Sequence, residues 1–161
     1  QLESTPAAVN SALQRARQAI RPATASQHNV LRDLGDEAVA RLVTRWIDAW
    51  QAGDVDAIVA MLADDARYSM PPLPSWYRGP DAIRAFLVTG PLTSRWRFLP
   101  ATANGQVAFG TYQWDDDAGR YVPGGLDVLT LRAGPEPRVA AITAFLDADL
   151  IPFGLPADIR P

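Results

Sequence analysis

The sequence predicts an α+β fold in which helices come first and a run of antiparallel strands follows. Three observations carry this. Apolar residues recur at helical spacing from Val39 to Leu62, and again from Ile83 to Leu87. Between those stretches PPLPSWY places three prolines in four positions, which no helix interior accommodates. Beyond residue 95, short strand-like segments are joined by turn signals, with Asn104-Gly105 the sharpest of them.

Each element has its own signature. Val39, Leu42, Val43, Trp46, Ile47 and Trp50 fall on one face of a helix, and Gly53 stands where its C-terminal stop belongs. Asp54 caps a second helix, predicted to run to about Ala63 with Ile58, Met61 and Leu62 inward. Residues 67–70 read as a short extended segment. Gly79-Pro80-Asp81 starts a third helix that buries Ile83, Phe86 and Leu87 and ends at Gly90-Pro91. Strands are predicted over 95–103 and 106–114, then 120–122 and 125–132. After a Gly-Pro-Glu-Pro turn a last one covers 138–147. The proline-rich tail from Ala148 is expected to fold back over the domain through Ile151, Phe153 and Leu155.

Composition narrows the chemistry. With 48% hydrophobic and 20% charged residues, the 161-residue chain is of globular type, with room for one domain and an appendage. It has no Cys and a single His, and its 15 basic residues are all Arg. Disulfides, thiolate nucleophiles, zinc–cysteine sites, serine–histidine triads, multi-histidine metal sites and lysine Schiff bases therefore fall away. No metal and no cofactor is expected, and any catalysis falls to carboxylates, Arg, Tyr or hydroxyls. No apolar run reaches the roughly 20 residues of a membrane span, and the first residues lack a signal-peptide layout. The chain reads as cytoplasmic, without a membrane partner.

The net charge of -3 is unevenly spread. Residues 1–32 carry four Arg against one Glu, a balance of +3, whereas residues 33–161 carry 11 Arg against 17 acids, a balance of -6. A basic leader on an acidic body predicts two parts with different partners.

The leader, residues 4–20, begins with Ser4, Thr5 and Pro6 as a helix start. Val9, Leu13, Ala16 and Ile20 form a narrow apolar stripe, while Asn10, Ser11, Gln14, Arg15, Arg17 and Gln18 make a face free of acids. Such a face suits a nucleic-acid groove, because Arg, Asn and Gln read base edges and neutralise phosphates. TPAAVNSALQRAR resembles the promoter-reading helix of region four in the extracytoplasmic-function (ECF) sigma factors of RNA polymerase. That resemblance implies that Thr5, Ala8, Asn10, Ser11, Gln14 and Arg15 face promoter DNA in an intact sigma factor, and that core RNA polymerase is a partner. The preceding helix of the helix-turn-helix lies outside this chain, so no specific DNA binding is expected of the piece alone. Residues 1–21 are thus assigned as a remnant of that helix, 22–33 as a polar linker containing His28, and 34–161 as the main domain.

The main domain has a resemblance of its own. WIDAWQAGDVDAIVAMLADDARY, RGPDAIRAFL and RVAAITAFLD follow one another as in the SnoaL-like branch of the nuclear-transport-factor-two superfamily. That resemblance implies a cone: a curved antiparallel sheet wrapped on three helices. MPPLPSWYRGPDAIRAFL and AFLDADLIPFGLP resemble the version fused behind sigma region four.

Relatives with this cone use its cavity for cyclisation, isomerisation, hydrolysis or ligand binding, and fold alone does not choose among these. Asp127, in the apolar run Leu126-Asp127-Val128-Leu129, is the catalytic candidate, since desolvation there would lift its pKa toward general-acid use. The ordinary preference of Asp for water favours the opposite placement, on the solvent side of a half-buried strand. Asp147 reads as a strand-end residue, and Asp64, Asp65 and Asp115 to Asp117 as solvated loop acids. Trp46 and Trp50 read as core. Trp76, Tyr77, Trp96, Tyr112 and Phe145, with Asp127, are candidates for a pocket or a partner surface. For Trp76-Tyr77, placed after prolines, exposure and burial are equally open.

These features favour a regulatory domain over an enzyme. The cone would dock on its own sigma regions or on core polymerase and adjust promoter use, with a small ligand in the cone and a homodimer as further partners. The alternative is a cofactor-independent cyclase, isomerase or hydrolase using Asp127.

Overall fold

The computed structural model describes Asn10, Ser11 and residues 26–160. Of the six positions assigned to DNA contact, Asn10 and Ser11 are helical and exposed, while Thr5, Ala8, Gln14 and Arg15 lie outside the described residues.

Within residues 26–160, four α-helices precede or interrupt the sheet: α1 (Gln27–Leu34), α2 (Asp36–Ala52), α3 (Val55–Ala60) and α4 (Pro80–Thr89). Helix α1 corrects the linker assignment for residues 27–33. Its single buried residue is Val30, and Leu31 and Leu34 pack on the core. The stretch QHNVLRDL is polar enough to look like a linker, but its few apolar residues share one face. α2 buries Leu42, Trp46, Ala49 and Trp50 at helical spacing and ends at Gly53, whose φ of 67° continues the chain without a Cβ penalty. Asp54 then caps α3 by accepting from the Ala57 N–H at 2.9 Å.

The sheet has six strands in the order β2-β1-β6-β5-β4-β3: β1 (Leu62–Ser69), β2 (Trp76–Arg78), β3 (Trp96–Ala103), β4 (Gln106–Asp115), β5 (Arg120–Arg132) and β6 (Arg138–Phe145). The expected all-antiparallel sheet is therefore mixed, since β1 runs parallel to β6. α3 is shorter than predicted, and Leu62 already belongs to β1. The run from Ile58 to Leu62 is apolar throughout, so periodicity alone does not separate helix from strand there. Strand β1 accordingly takes in Asp64 and Asp65, which are exposed as expected but are not in a loop. The two segments predicted for 120–132 are one strand with a bulge at Gly124, between the pairs Tyr112 with Pro123 and Thr111 with Gly125. Asn104 and Gly105 turn with φ of 50° and 69°, the pattern of a tight two-residue hairpin.

The core lies between the helices and the inner face of the sheet. Trp46, Ile58, Ile83 and Leu87 meet Phe98, Phe109, Leu129, Val139 and Ile142 there. Each such side chain contributes about 1.5–3 kcal/mol on burial. A second, smaller cluster sits on the outer face, where Leu150 and Leu155 of the tail cover Ala108, Tyr112, Tyr121 and Leu126. The tail therefore packs back, but through Leu150 and Leu155; Ile151 and Phe153 remain exposed. Tyr121 and Ile159 exchange backbone hydrogen bonds of 2.9 and 3.0 Å, and the Tyr112 hydroxyl donates to the Pro156 carbonyl at 2.7 Å.

The entry to the domain is fixed by one side chain. Gln27 donates from Nε2 to the Leu131 carbonyl at 2.9 Å and accepts from the Leu131 N–H at 2.7 Å. Leu131 lies beyond the last β4–β5 pair, Ala108 with Val128. The Gln27 amide thus completes a ladder that the neighbouring strand no longer reaches.

Candidate functional site

Asp127 occupies the middle of β5, paired with Phe109 of β4 and Ala144 of β6. Because side chains alternate along a strand, its neighbours Leu126 and Val128 lie on the outer face and Asp127 is inward. It is 3% exposed, against the usual preference of its residue type. It lines a small cavity inside the cone with Trp50, Tyr68, Met70, Trp96, Phe98 and Thr111.

The electrostatics follow from that burial. Desolvation pushes the Asp127 carboxyl from its ordinary 3.8 up to about 7, since the apolar surroundings penalise its charged form. Tyr68 is buried as well, and its phenol is raised well above its ordinary range, by desolvation first and by the Asp127 charge second. Two polar groups of the lining are satisfied: Thr111 Oγ1 donates to the Gly125 carbonyl at 3.1 Å and Trp96 Nε1 to the Pro91 carbonyl at 2.7 Å. The Trp50 indole N–H is buried with no partner, as is that of Trp46 behind it. An acid able to give or take a proton near neutral pH thus lines one apolar chamber with Tyr68 and Trp50.

Size limits what the chamber can do. Its volume of about 60 Å³ exceeds the roughly 10–15 Å³ that one water requires, but falls far below the roughly 300–1,000 Å³ of ordinary ligand pockets. It takes a few waters or a small polar group in this conformation. A larger cleft, of about 510 Å³, lies on the opposite face of the sheet against the tail, between Pro71, Pro72, Leu126, Val128, Phe145 and Phe153.

The structure divides the residues that the sequence grouped. Asp127 and Trp96 meet in the chamber. Phe145 lines the outer cleft, and Trp76 projects from the sheet edge at 63% exposure. Tyr77 is half-buried and stacks on Phe86, with ring centres 4.3 Å apart, which separates it from Trp76. Tyr112 is on the outer face, under the tail. Trp46 and Trp50 belong to the aromatic core, where Trp50 stacks on Phe98 at 4.8 Å, but Trp50 also reaches the chamber. Sequence reasoning missed Tyr68. Strand β1 was legible only from residue 67, too short a stretch for alternation to place Tyr68 inward beside Asp127. Among the described residues, no three His, Asp or Glu gather where they could hold a metal ion, and no helix is long and apolar enough to cross a membrane.

The fold defines a class. Residues 43–145 match the SnoaL-like domain family, and the chain belongs to that family. It is 36% identical over 157 residues to part of the ECF RNA polymerase sigma factor SigG of Mycobacterium tuberculosis, in strains CDC 1551 / Oshkosh and ATCC 25618 / H37Rv. That match takes in 92% of this chain and 40% of the relative, so the chain spans less than half the length of the sigma factors it resembles. Solved structures share the fold. An NTF-2-like protein from Burkholderia xenovorans LB400 superposes with a TM-score of 0.59 at 17% identity, over 72% of this chain and 88% of that one. A SnoaL-like protein from Burkholderia thailandensis e264 gives 0.54 at 22% identity, over 71% and 98%. ActVI-ORFA of Streptomyces coelicolor gives 0.55 at 15% identity, over 69% and 96%.

Proposed function

We propose that this chain is the C-terminal part of an ECF sigma factor, and that its SnoaL-like cone regulates transcription initiation by docking on the sigma regions or on core RNA polymerase. The observation that carries this is the reach of the match to SigG. Residues 26–161 are 136 of 161, or 84% of the chain, so a match over 92% extends into the Arg-rich leader as well. That reach supports reading the leader and the cone as parts of one sigma factor. In the intact protein Thr5, Ala8, Asn10, Ser11, Gln14 and Arg15 contact promoter DNA, and the protein works in the cytoplasm beside the polymerase. Covalent linkage raises the local concentration of the cone at the sigma surface, so a weak contact suffices. A small polar ligand in the Asp127 chamber would adjust that contact.

The test is run-off transcription from the cognate promoter with the intact sigma factor and with one ending at Ala25, which removes α1 together with the cone it packs on. A changed transcript yield is expected. Equal yields would end the regulatory reading.

A second reading is favoured by Asp127 itself, a buried carboxyl raised to about 7 beside Tyr68. It makes the cone a cofactor-independent isomerase, hydrolase or cyclase with Asp127 as general acid and base. A fused-ring substrate exceeds a chamber of about 60 Å³, which weighs toward regulation. Asp127→Asn would abolish turnover of any substrate found while preserving the fold.

A further inference from the structure

The outer face of the sheet carries residues that the chamber does not explain. β1 pairs with β2 so that Arg67 lies opposite Arg78 and Ser69 opposite Trp76, which brings all four side chains out on one side. The parallel pairing with β6 sets Ala141 beside Arg67 and Thr143 beside Ser69, and β5 adds Val128 beside Thr143. The face therefore runs without a break from the sheet edge to the apolar cleft at Val128, Phe145 and Phe153.

Two features of this face are costly in water. Trp76 leaves 63% of its surface exposed although it is the largest side chain on the edge. Arg67 and Arg78 are directly opposed across the strands, where like charges repel. Both are exposed, and neither makes an ion pair or a side-chain hydrogen bond among the described residues. Asp65, the acid within electrostatic reach of Arg78, is already held by Arg132 through both oxygens at 2.8 and 3.1 Å. The pair is thus a local excess of positive charge on a body whose residues 33–161 total -6.

We propose that this face docks an acidic protein segment, with an apolar side chain in the cleft and carboxylates received by Arg67 and Arg78 beside Trp76. Three strand spacings separate Val128 from Trp76 and Arg78 lies two residues further along its strand, so the anchor and the carboxylate at Arg78 lie roughly 16 Å apart, about eleven residues of helix. Exposed Trp and Arg are the residue types that dominate binding energy when a partner covers them. The net negative body repels a nucleic-acid duplex at long range, which favours a protein. A second copy of the chain facing this one would stack its own Arg67 and Arg78 against the first pair. This proposal rests on the regulatory reading above and names the surface that the docking would use.

The experiment uses the full-length sigma factor assembled with core polymerase and promoter DNA. Trp76 is replaced by the photo-reactive p-benzoylphenylalanine, and cross-linked peptides are identified by mass spectrometry, with and without Arg67→Glu and Arg78→Glu. The expected result is a cross-link to a carboxylate-bearing segment of the sigma regions or of polymerase, weakened roughly tenfold or more by the two reversals. Both positions are exposed, and unchanged circular dichroism would show that the fold persists. A cross-link to DNA, to a second copy of the chain or to nothing would overturn the proposal, as would one that survives both reversals. If truncation at Ala25 still changes transcript yield in any of those cases, the regulatory reading stands and only the surface is wrong. If truncation changes nothing, both fall.

Discussion

Replacing Asp127 by Asn tests the electrostatics of the chamber without changing its shape. The folded carboxyl titrates at about 7 and the unfolded one at about 3.8. Between those values the folded chain holds a proton that the unfolded chain has lost. Stability must then fall as pH rises through this window, by about 1.4 kcal/mol per pH unit, because the native state binds the extra proton. Over the whole window the loss is about 4 kcal/mol, a large share of the 5–15 kcal/mol typical of a domain. Below pH 3.8 both states are protonated and the penalty vanishes. Asn carries no charge at any pH, so Asp127→Asn should match the wild type near pH 4 and exceed it above pH 7. Urea unfolding followed by tryptophan fluorescence at pH 5, 6, 7 and 8 measures this directly. From pH 5 to 8 the wild type should lose about 3 kcal/mol relative to the variant. Parallel stability curves for the two proteins across that range would refute a buried, proton-holding Asp127.

Three further outcomes follow from the packing. Gln27→Ala orphans the Leu131 N–H and carbonyl and should cost about 1–3 kcal/mol, with faster amide exchange at Leu131 as its local signature. Gly125→Ala should destabilise by about 3 kcal/mol or more in thermal unfolding, since φ is 142° and a Cβ would stand 2.5 Å from the Phe145 carbonyl oxygen. Leu155→Ala empties the seat that Leu155 takes against Gly110. It should cost about 2–3 kcal/mol and expose the tail to proteolysis before the rest of the domain.

Much of this architecture is written in local patterns. The stripe from Val39 to Trp50, the Gly53 stop and the Asn104-Gly105 turn each depend on one or two neighbouring residues, and each element lies where its pattern puts it. Connections between distant strands have no such local signal. That β1 runs parallel to β6 depends on where α4 returns the chain, and no residue of either strand encodes it. Helix α1 was hidden because its buried contact, Val30, is a single residue in a polar stretch, and because the partner of Gln27 is 104 residues away. The chamber was half legible. Asp127 stood out as an acid in an apolar strand, yet its direction depended on the parity of β5, which the bulge at Gly124 obscures. Tyr68 and Trp50 came to it only through the closing of the sheet around α2. The outer face was not legible: the sequence left the exposure of Trp76 open, and the opposition of Arg67 and Arg78 needs the β1–β2 register.

The most direct test of a cone that governs transcription is complementation in trans. The sigma factor ending at Ala25 is assembled with core polymerase, and the present chain, residues 1–161, is added as a separate molecule over a rising concentration series during run-off transcription. A docking regulator should carry the transcript yield back toward that of the intact protein, at concentrations approaching the millimolar values that tethering supplies. A yield that stays flat throughout, with the added chain folded, would contradict it.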